Sequence, residues 1–320
     1  VLGEFDLIHR YFTKETDNKS VSLSVGDDCA LIDCNERGYL AITTDTLNEG
    51  IHYFKGEDPY MLGYKSLLVN VSDLASMGAK PEYFTLSLTL KEAAEDFLKA
   101  FADGMFTLAD ELDMTLIGGN TSKGSADSFS IEAMGYVAKD RAMLRANARD
   151  GDLICVTGTL GAPALFVESG YGKIALNDSQ RLIAHNKAML MPNRCAFACE
   201  LSEFVRCAID ISDGLMGDLK HICDRSNLAA CIDVDTLPVD PLIKSVEKTR
   251  EYGLNLALFG GGDYELLFTV DKKYADDLKA LSAKHNVQVS IIGKMIKGTD
   301  IVLKDGQSMF NGSGRAFEHF

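Results

Sequence analysis

The chain reads as an α/β (α+β) protein in two units. Strand-like and helix-like segments alternate through both halves, which is the pattern of layered sheets and helices. A polar, turn-rich stretch over Lys139–Asp152 separates the halves, so residues 1–145 are expected to form one domain and 146–320 the other. With 320 residues, 46% of them hydrophobic, there is material for two ordinary cores.

Taken in order, Glu4–Phe12 reads as a short helix with Phe5, Ile8 and Phe12 on one face. Val21–Val25 is a strand that runs into Gly26-Asp27-Asp28, and Tyr39–Thr44 a strand that runs into Thr44-Asp45-Thr46. Met61–Met77 has helical periodicity, with Gly78 placed to cap its C-terminus and Pro81 beyond. Phe84–Leu90 alternates as a strand, and Ala93–Leu112 is amphipathic over helical length. Met114–Ile117 is a strand leading into Gly118-Gly119-Asn120, and Ser130–Val137 is another. In the second half, strands are expected at Leu153–Thr157, Ala208–Ile211, Ala229–Val234, Tyr264–Val270 and Val287–Ile292. Helices are expected from Pro163, over Gln180–Met191 and Cys195–Val205 around Pro192, and over Leu215–Arg225 and Ala275–His285.

Composition narrows the function. The formal net charge is −15 with no Lys/Arg run, which argues against nucleic acid or an anionic membrane as partner. No segment approaches the roughly 20 apolar residues that cross a bilayer. The acidic, amphipathic N-terminus is unlike a secretory signal, and the eight scattered cysteines contain no C-x-x-C pair. A cytoplasmic protein with reduced thiols is the expectation. G-x-x-x-x-G-K-[ST], H-R-D and G-x-S-x-G are all absent.

The chemistry lies in recurring acidic and hydroxyl segments: Gly26-Asp27-Asp28, Thr43-Thr44-Asp45-Thr46, Asn70-Val71-Ser72-Asp73 and Asp210-Ile211-Ser212-Asp213-Gly214. Each has a plain alternative: an Asx turn at Asp27-Asp28, a polar strand edge at Asp45, a surface-facing carboxylate at Asp73, an N-cap at Asp213. Together they describe an oxygen-rich cage for hard cations and for the phosphates that such cations neutralise. Asp73 is the most telling, because an unpaired carboxylate within the apolar run Leu67–Ala75 is expensive. Asn70, one turn earlier, shares its face. The backbone N–H groups after Ser212 are suited to phosphate. His52 and Arg145 are ambiguous by themselves, and Tyr264, Leu266 and Phe268 read mainly as strand core behind Gly260-Gly261-Gly262-Asp263.

In sequence order, G-D-D-C-A, T-T-D-T-L…G-I-H, N-V-S-D-L-A-S-M-G-A-K-P, L-I-G-G-N-T, A-I-D-I-S-D-G-L and G-G-G-D-Y-E-L-L-F resemble the thiamine-monophosphate kinase family. The likeness runs from Gly3 to the closing A-F-E-H-F. That family belongs to the aminoimidazole ribonucleotide synthetase-like superfamily, which also holds ATP-dependent enzymes with carbonyl, amide or selenide acceptors. The resemblance implies ATP-dependent phosphorylation of thiamine monophosphate to thiamine diphosphate, with several Mg²⁺ ions. It also implies a homodimer whose N-terminal sheets pair into a β-barrel, beside a C-terminal α/β sandwich. By position, Asp28, Thr43, Thr44, Asp45, Asp73, Asn120, Asp210 and Asp213 would be metal ligands. Gly119, Asn120, Arg145 and Ser212 would contact ATP, and His52, Gly262 and Phe317 the substrate.

The chain departs from the family pattern at Asn120, usually Asp, and at Gly262, usually a Glu that meets substrate. The aromatic common near the C-terminal motif is also missing, leaving Phe317 to supply that wall. These changes bear on metal stoichiometry and substrate affinity, and they would also suit a relative that binds without turnover. For the kinase reaction itself, the acceptor is a phosphate monoester with a second pKa near 6, so no general base is expected.

Overall fold

A computed structural model describes residues 8, 17–246, 248–312 and 314. The expected N-terminal helix, apart from Ile8, and Phe317 lie outside the described residues.

The first six strands form one sheet: β1 (Val21–Leu23), β2 (Ala30–Asp33), β3 (Tyr39–Asn48), β4 (Lys80–Leu90), β5 (Thr115–Lys123) and β6 (Ser128–Val137). Their order is β1-β2-β3-β6-β4-β5, antiparallel except for the β4–β5 pair. Helix α1 (Pro59–Ser76) joins β3 to β4, and α2 (Glu95–Glu111) makes the crossover between the parallel strands. The two helices cross backbone to backbone. A Cβ on Gly63 would lie 1.9 Å from the Phe101 carbonyl oxygen, and one on Gly104 1.9 Å from that of Tyr60.

The α1 helix is buried nearly all round, its apolar residues interrupted by the buried polar groups Lys65, Ser66, Asn70, Ser72 and Ser76. Its start is fixed by Asp58, whose carboxylate accepts from the Met61 N–H at 3.0 Å, and by Pro59 in the first turn. Its end is a left-handed Gly78 (φ +70°), with Gly78 N–H donating to Ala75 O and Ala79 N–H to Leu74 O.

The second sheet contains β7 (Leu153–Thr157), β8 (Cys207–Asp210), β9 (Ala229–Asp233), β10 (Leu266–Val270), β11 (Val289–Ile296), β12 (Ile301–Asp305) and β13 (Ser308–Met309). The order is β13-β12-β9-β11-β7-β10-β8, with β12 and β9 parallel and the other pairs antiparallel. Its helices are α3 (Ala162–Gly170), α4 (Asp178–Met189), α5 (Cys195–Leu201), α6 (Leu215–Ser226), α7 (Pro241–Lys244), α8 (Arg250–Phe259) and α9 (Ala275–His285). One apolar core is continuous between the halves: Leu67, Val71 and Phe84 belong to the same cluster as Phe197, Leu266 and Phe268. A second core, around Ile154, Ile209 and Leu219, is confined to the C-terminal half.

Two strands run further than their sequence suggests. β3 continues through Thr44-Asp45-Thr46 to Asn48, because β6 pairs with it in unbroken register from Tyr39 to Asn48. β5 continues through Gly118-Gly119-Asn120, paired with β4. Gly119 is required there, since a Cβ would lie 1.9 Å from Leu86 O. Conversely, Tyr264 precedes β10 rather than belonging to it, in a left-handed conformation (φ +49°). Helix α8 and strands β12 and β13 carry no strong periodic signal in the sequence.

Candidate functional site: a carboxylate cluster in the cleft between the two halves

Asp28, Asp73 and Asp210 converge from three separate elements, each with a carboxylate oxygen within 4.8 Å of the others. Asp28 follows the turn between β1 and β2, Asp73 sits on the buried α1, and Asp210 ends β8. Asp28 and Asp210 are buried. Their hydrogen bonds leave much of the charge uncancelled: Thr43 Oγ1 donates to Asp73 at 2.5 Å, and Ser72 Oγ donates to Asp210 at 2.7 Å. Burial, together with repulsion from Asp28, pushes the Asp210 carboxyl up to about 8. Asp73 is raised well above the usual carboxylate range by burial and by Asp210, Asp45 and Asp28. A cluster that resists ionisation in this way fits a bound cation, which would hold the same carboxylates ionised.

Arg145 supplies the fixed positive charge. Its guanidinium forms a close ion pair with Asp28, and its backbone N–H donates to Asp27 Oδ2 at 3.2 Å. Burial and the neighbouring Asp28 push Asp27 up to about 7 despite Arg145.

Asp27, Asp28, Asp73 and Arg145 line a cleft of about 1300 Å³, with Asp210 buried behind that lining. Of the residues singled out from the sequence, Asp28, Thr43, Thr44, Asp45, His52, Asp73, Arg145, Ser212, Asp213 and Gly262 all face it. They do not all face it in the same way. Thr43 and Asp45 share one face of β3, whereas Thr44 lies on the other and donates to Ile131 O at 3.1 Å. Asn70 does not turn to the cleft as expected. It is fully buried, and its amide oxygen accepts from the Asp45 N–H at 2.8 Å, so it fixes the strand that carries Asp45. His52 Nδ1 accepts from the Asn48 N–H at 2.9 Å, which leaves Nε2 carrying the proton in the neutral ring. Gly262 is left-handed (φ +88°), and its N–H donates to Ser212 O at 2.7 Å. Gly119 and Asn120 are not among the cleft's described lining; they sit exposed on the edge strand β5.

Several cleft residues escaped the sequence reading. Asp218, in the first turn of α6, accepts from the Asp213 N–H at 3.2 Å, and burial raises its pKa well above normal. His221, one turn on, is held neutral by burial, its pKa lowered to about 4. Lys65 and an aromatic group of Phe54, Phe166 and Tyr171 also line the cleft. The argument that singled out Asp73, a charge in an apolar helix, applies equally to Lys65. The rings came from elements whose order in space the sequence does not give.

Comparison with known proteins agrees with this architecture. Residues 26–137 match the family model of the AIR synthase related protein, N-terminal domain, and residues 149–306 that of its C-terminal domain. That domain pair defines the class, an AIR-synthase-related protein. Thiamine-monophosphate kinases from Salmonella typhimurium (strain LT2) and Haemophilus influenzae are 40% and 38% identical to the chain. The alignments cover 99% and 100% of it and 98% of each relative. A solved structure described as "AaThiL complexed with AMPPCP and TMP" superposes with a TM-score of 0.85 at 29% identity, covering 100% of this chain and 97% of that one. The chain belongs to the thiamine-monophosphate kinase family.

Proposed function

We propose that this protein transfers the terminal phosphoryl group of ATP to thiamine monophosphate, giving thiamine diphosphate and ADP. The observation that carries the reading is the Asp28–Asp73–Asp210 cluster, set in a cleft shared by the two halves, in a chain that matches a relative solved with AMPPCP and TMP over its whole length. Both reactants are polyanions, so the task is to bring them together in line and neutralise their charge. The acceptor phosphate is already a dianion at neutral pH and needs no base.

The donor set is all oxygen, the chemistry of a hard cation, so Mg²⁺ is the ion we assign. Asp28, Asp73 and Asp210 would hold it, with Thr43, Asp45 and Asp213 along the same cleft. Bound there, Mg²⁺ supplies the positive charge that draws the two sets of phosphate oxygens together. The chain itself contributes Arg145, locked against Asp28, and the start of α6 after Ser212-Asp213. His52 borders the cleft, and Thr43 orients Asp73. Transfer is direct, with no phosphoenzyme.

The same reading favours a homodimer. Gly119 and Asn120 lie on the exposed edge strand β5, away from the cleft of their own chain, and pairing of two such sheets would give them a role at ATP. We also infer the domain division at residues 145/146 and a cytoplasmic location, in keeping with eight free cysteines. No helix among the described residues is long and apolar enough to cross a membrane. The test is acceptor-dependent turnover with Mg²⁺ and ATP. Thiamine diphosphate formed only with thiamine monophosphate supports the kinase. Product from a different acceptor, or binding without product, would shift the assignment to another superfamily enzyme or a non-catalytic relative.

A further inference from the structure

Lys65 is a buried cation that the phosphate chemistry leaves unused. It stands on α1 eight residues before Asp73, which at the helical rise puts it about 12 Å along the axis from the carboxylate cluster. Only 9% of it is exposed, yet it borders the cleft. Its ammonium donates to Ala188 O at 3.0 Å, and no other hydrogen bond is recorded for it among the described residues. An ammonium carries three donors, so two are uncommitted in a place where leaving them unpaired is costly. The countercharge nearby, Glu57, is already engaged by His185 Nε2 at 2.5 Å. Burial lowers the Lys65 pKa to about 8, so the group is still mainly ammonium at neutral pH.

The surroundings suit a flat ring. Phe166 lies against His185 with ring centres 5.0 Å apart, and Phe54 meets Phe166 and Tyr171 edge-on at 5.7 and 5.5 Å. Phe54 is seated in a notch at Gly170, where a Cβ would lie 2.3 Å from its ring. A second phosphate here would meet Glu57 and aromatic edges, and a cationic ring would be repelled by the ammonium. A neutral heteroaromatic ring with acceptor nitrogens meets neither objection.

We propose that Lys65 is the specificity-determining contact for the ring end of the acceptor. One of its free N–H bonds donates to a ring nitrogen of the aminopyrimidine, which is seated beside Phe54, Phe166 and Tyr171 while the phosphate is held at the carboxylates. The proposal rests on the thiamine monophosphate reading above.

The test is Lys65→Met, which keeps the stem and removes the donors, in the full-length protein. KM for thiamine monophosphate should rise roughly 10- to 100-fold, with kcat and KM for Mg-ATP changed less than about twofold. Calorimetry should show the same loss of thiamine monophosphate affinity. An acceptor analogue whose pyrimidine is replaced by benzene should bind the wild type more weakly by a similar factor, with no further loss in Lys65→Met. Unchanged affinity in the variant overturns the proposal. So does an equal loss for natural and benzene acceptors, which would make Lys65 only a tie between α1 and α4. If Lys65→Met melts far below wild type, the analogue on wild type decides: equal affinity for both acceptors overturns the contact. Absence of thiamine diphosphate with wild type would refute the reaction instead, and the calorimetric comparison still reads Lys65.

Discussion

Replacing Asp210 by Asn should make the metal-free protein less sensitive to alkaline pH. Asp210 is buried, and its pKa is pushed up to about 8, against about 4 for an ordinary Asp. Between those values the folded protein holds a proton that the unfolded chain has lost. Stability therefore falls as pH rises, by about 1.4 kcal/mol per pH unit for one such proton. The window is pH 6.5 to 8, where the difference between wild type and variant isolates Asp210. Below it His221, held neutral with a pKa near 4, contributes with the opposite sign. Above it Lys65, lowered to about 8, does the same. Across the window the Asp210 contribution is about 2 kcal/mol, or roughly 4 °C in melting temperature for a chain of this size. Asn cannot bind that proton, and it also removes one repulsive neighbour of Asp73. The assay is thermal or urea unfolding in EDTA at several pH values, wild type against Asp210→Asn. The wild-type slope should be negative and the variant's shallower by the Asp210 share, with Asp27, raised to about 7, and the raised Asp73, Asp218 and Asp263 keeping it from vanishing. Excess Mg²⁺ should reduce the wild-type decline by the share that the cluster contributes. Equal slopes for the two proteins in EDTA would refute the electrostatic account of the cluster.

Gly63→Ala should destabilise the protein by about 1–3 kcal/mol or more, because its Cβ would meet the Phe101 carbonyl oxygen where α1 and α2 cross. Urea denaturation measures this, and an unchanged midpoint would contradict the backbone contact. Gly262→Glu restores the residue usual in the family at a position with room (Pro163 Cβ at 3.4 Å) but with φ +88°. It should lower KM for thiamine monophosphate severalfold while costing about 1 kcal/mol of stability. An unchanged KM would mean that this position does not reach the acceptor.

Much of the site was legible in the sequence because charge in an apolar run is informative. Asp73 in the buried helix and Asp210 at the end of a buried strand had to be paired, and they are brought together with Asp28. The reading failed where a partner, rather than a face, decides the role. Asn70 shares a helix face with Asp73, yet its amide serves the Asp45 backbone. Thr44 borders the cleft, but its hydroxyl donates to Ile131 O, a pairing that follows only once β3 is known to run on beside β6 to Asn48. Gly118-Gly119 reads as the point where a strand ends, and only the close approach of Leu86 O explains Gly119 within a continuing strand. The aromatic end of the cleft joins Phe54, from the segment after β3, to α3, a proximity that local pattern does not encode.

The central claim, direct phosphate-on-phosphate transfer in the carboxylate-lined cleft, is tested by a single-turnover experiment with terminally radiolabelled ATP, Mg²⁺ and thiamine monophosphate, quenched at successive times. The label should pass from ATP into the terminal phosphate of thiamine diphosphate as ATP disappears, with none on the protein at any time. Label trapped on the protein before the acceptor is added, or released as inorganic phosphate without thiamine diphosphate, would contradict it.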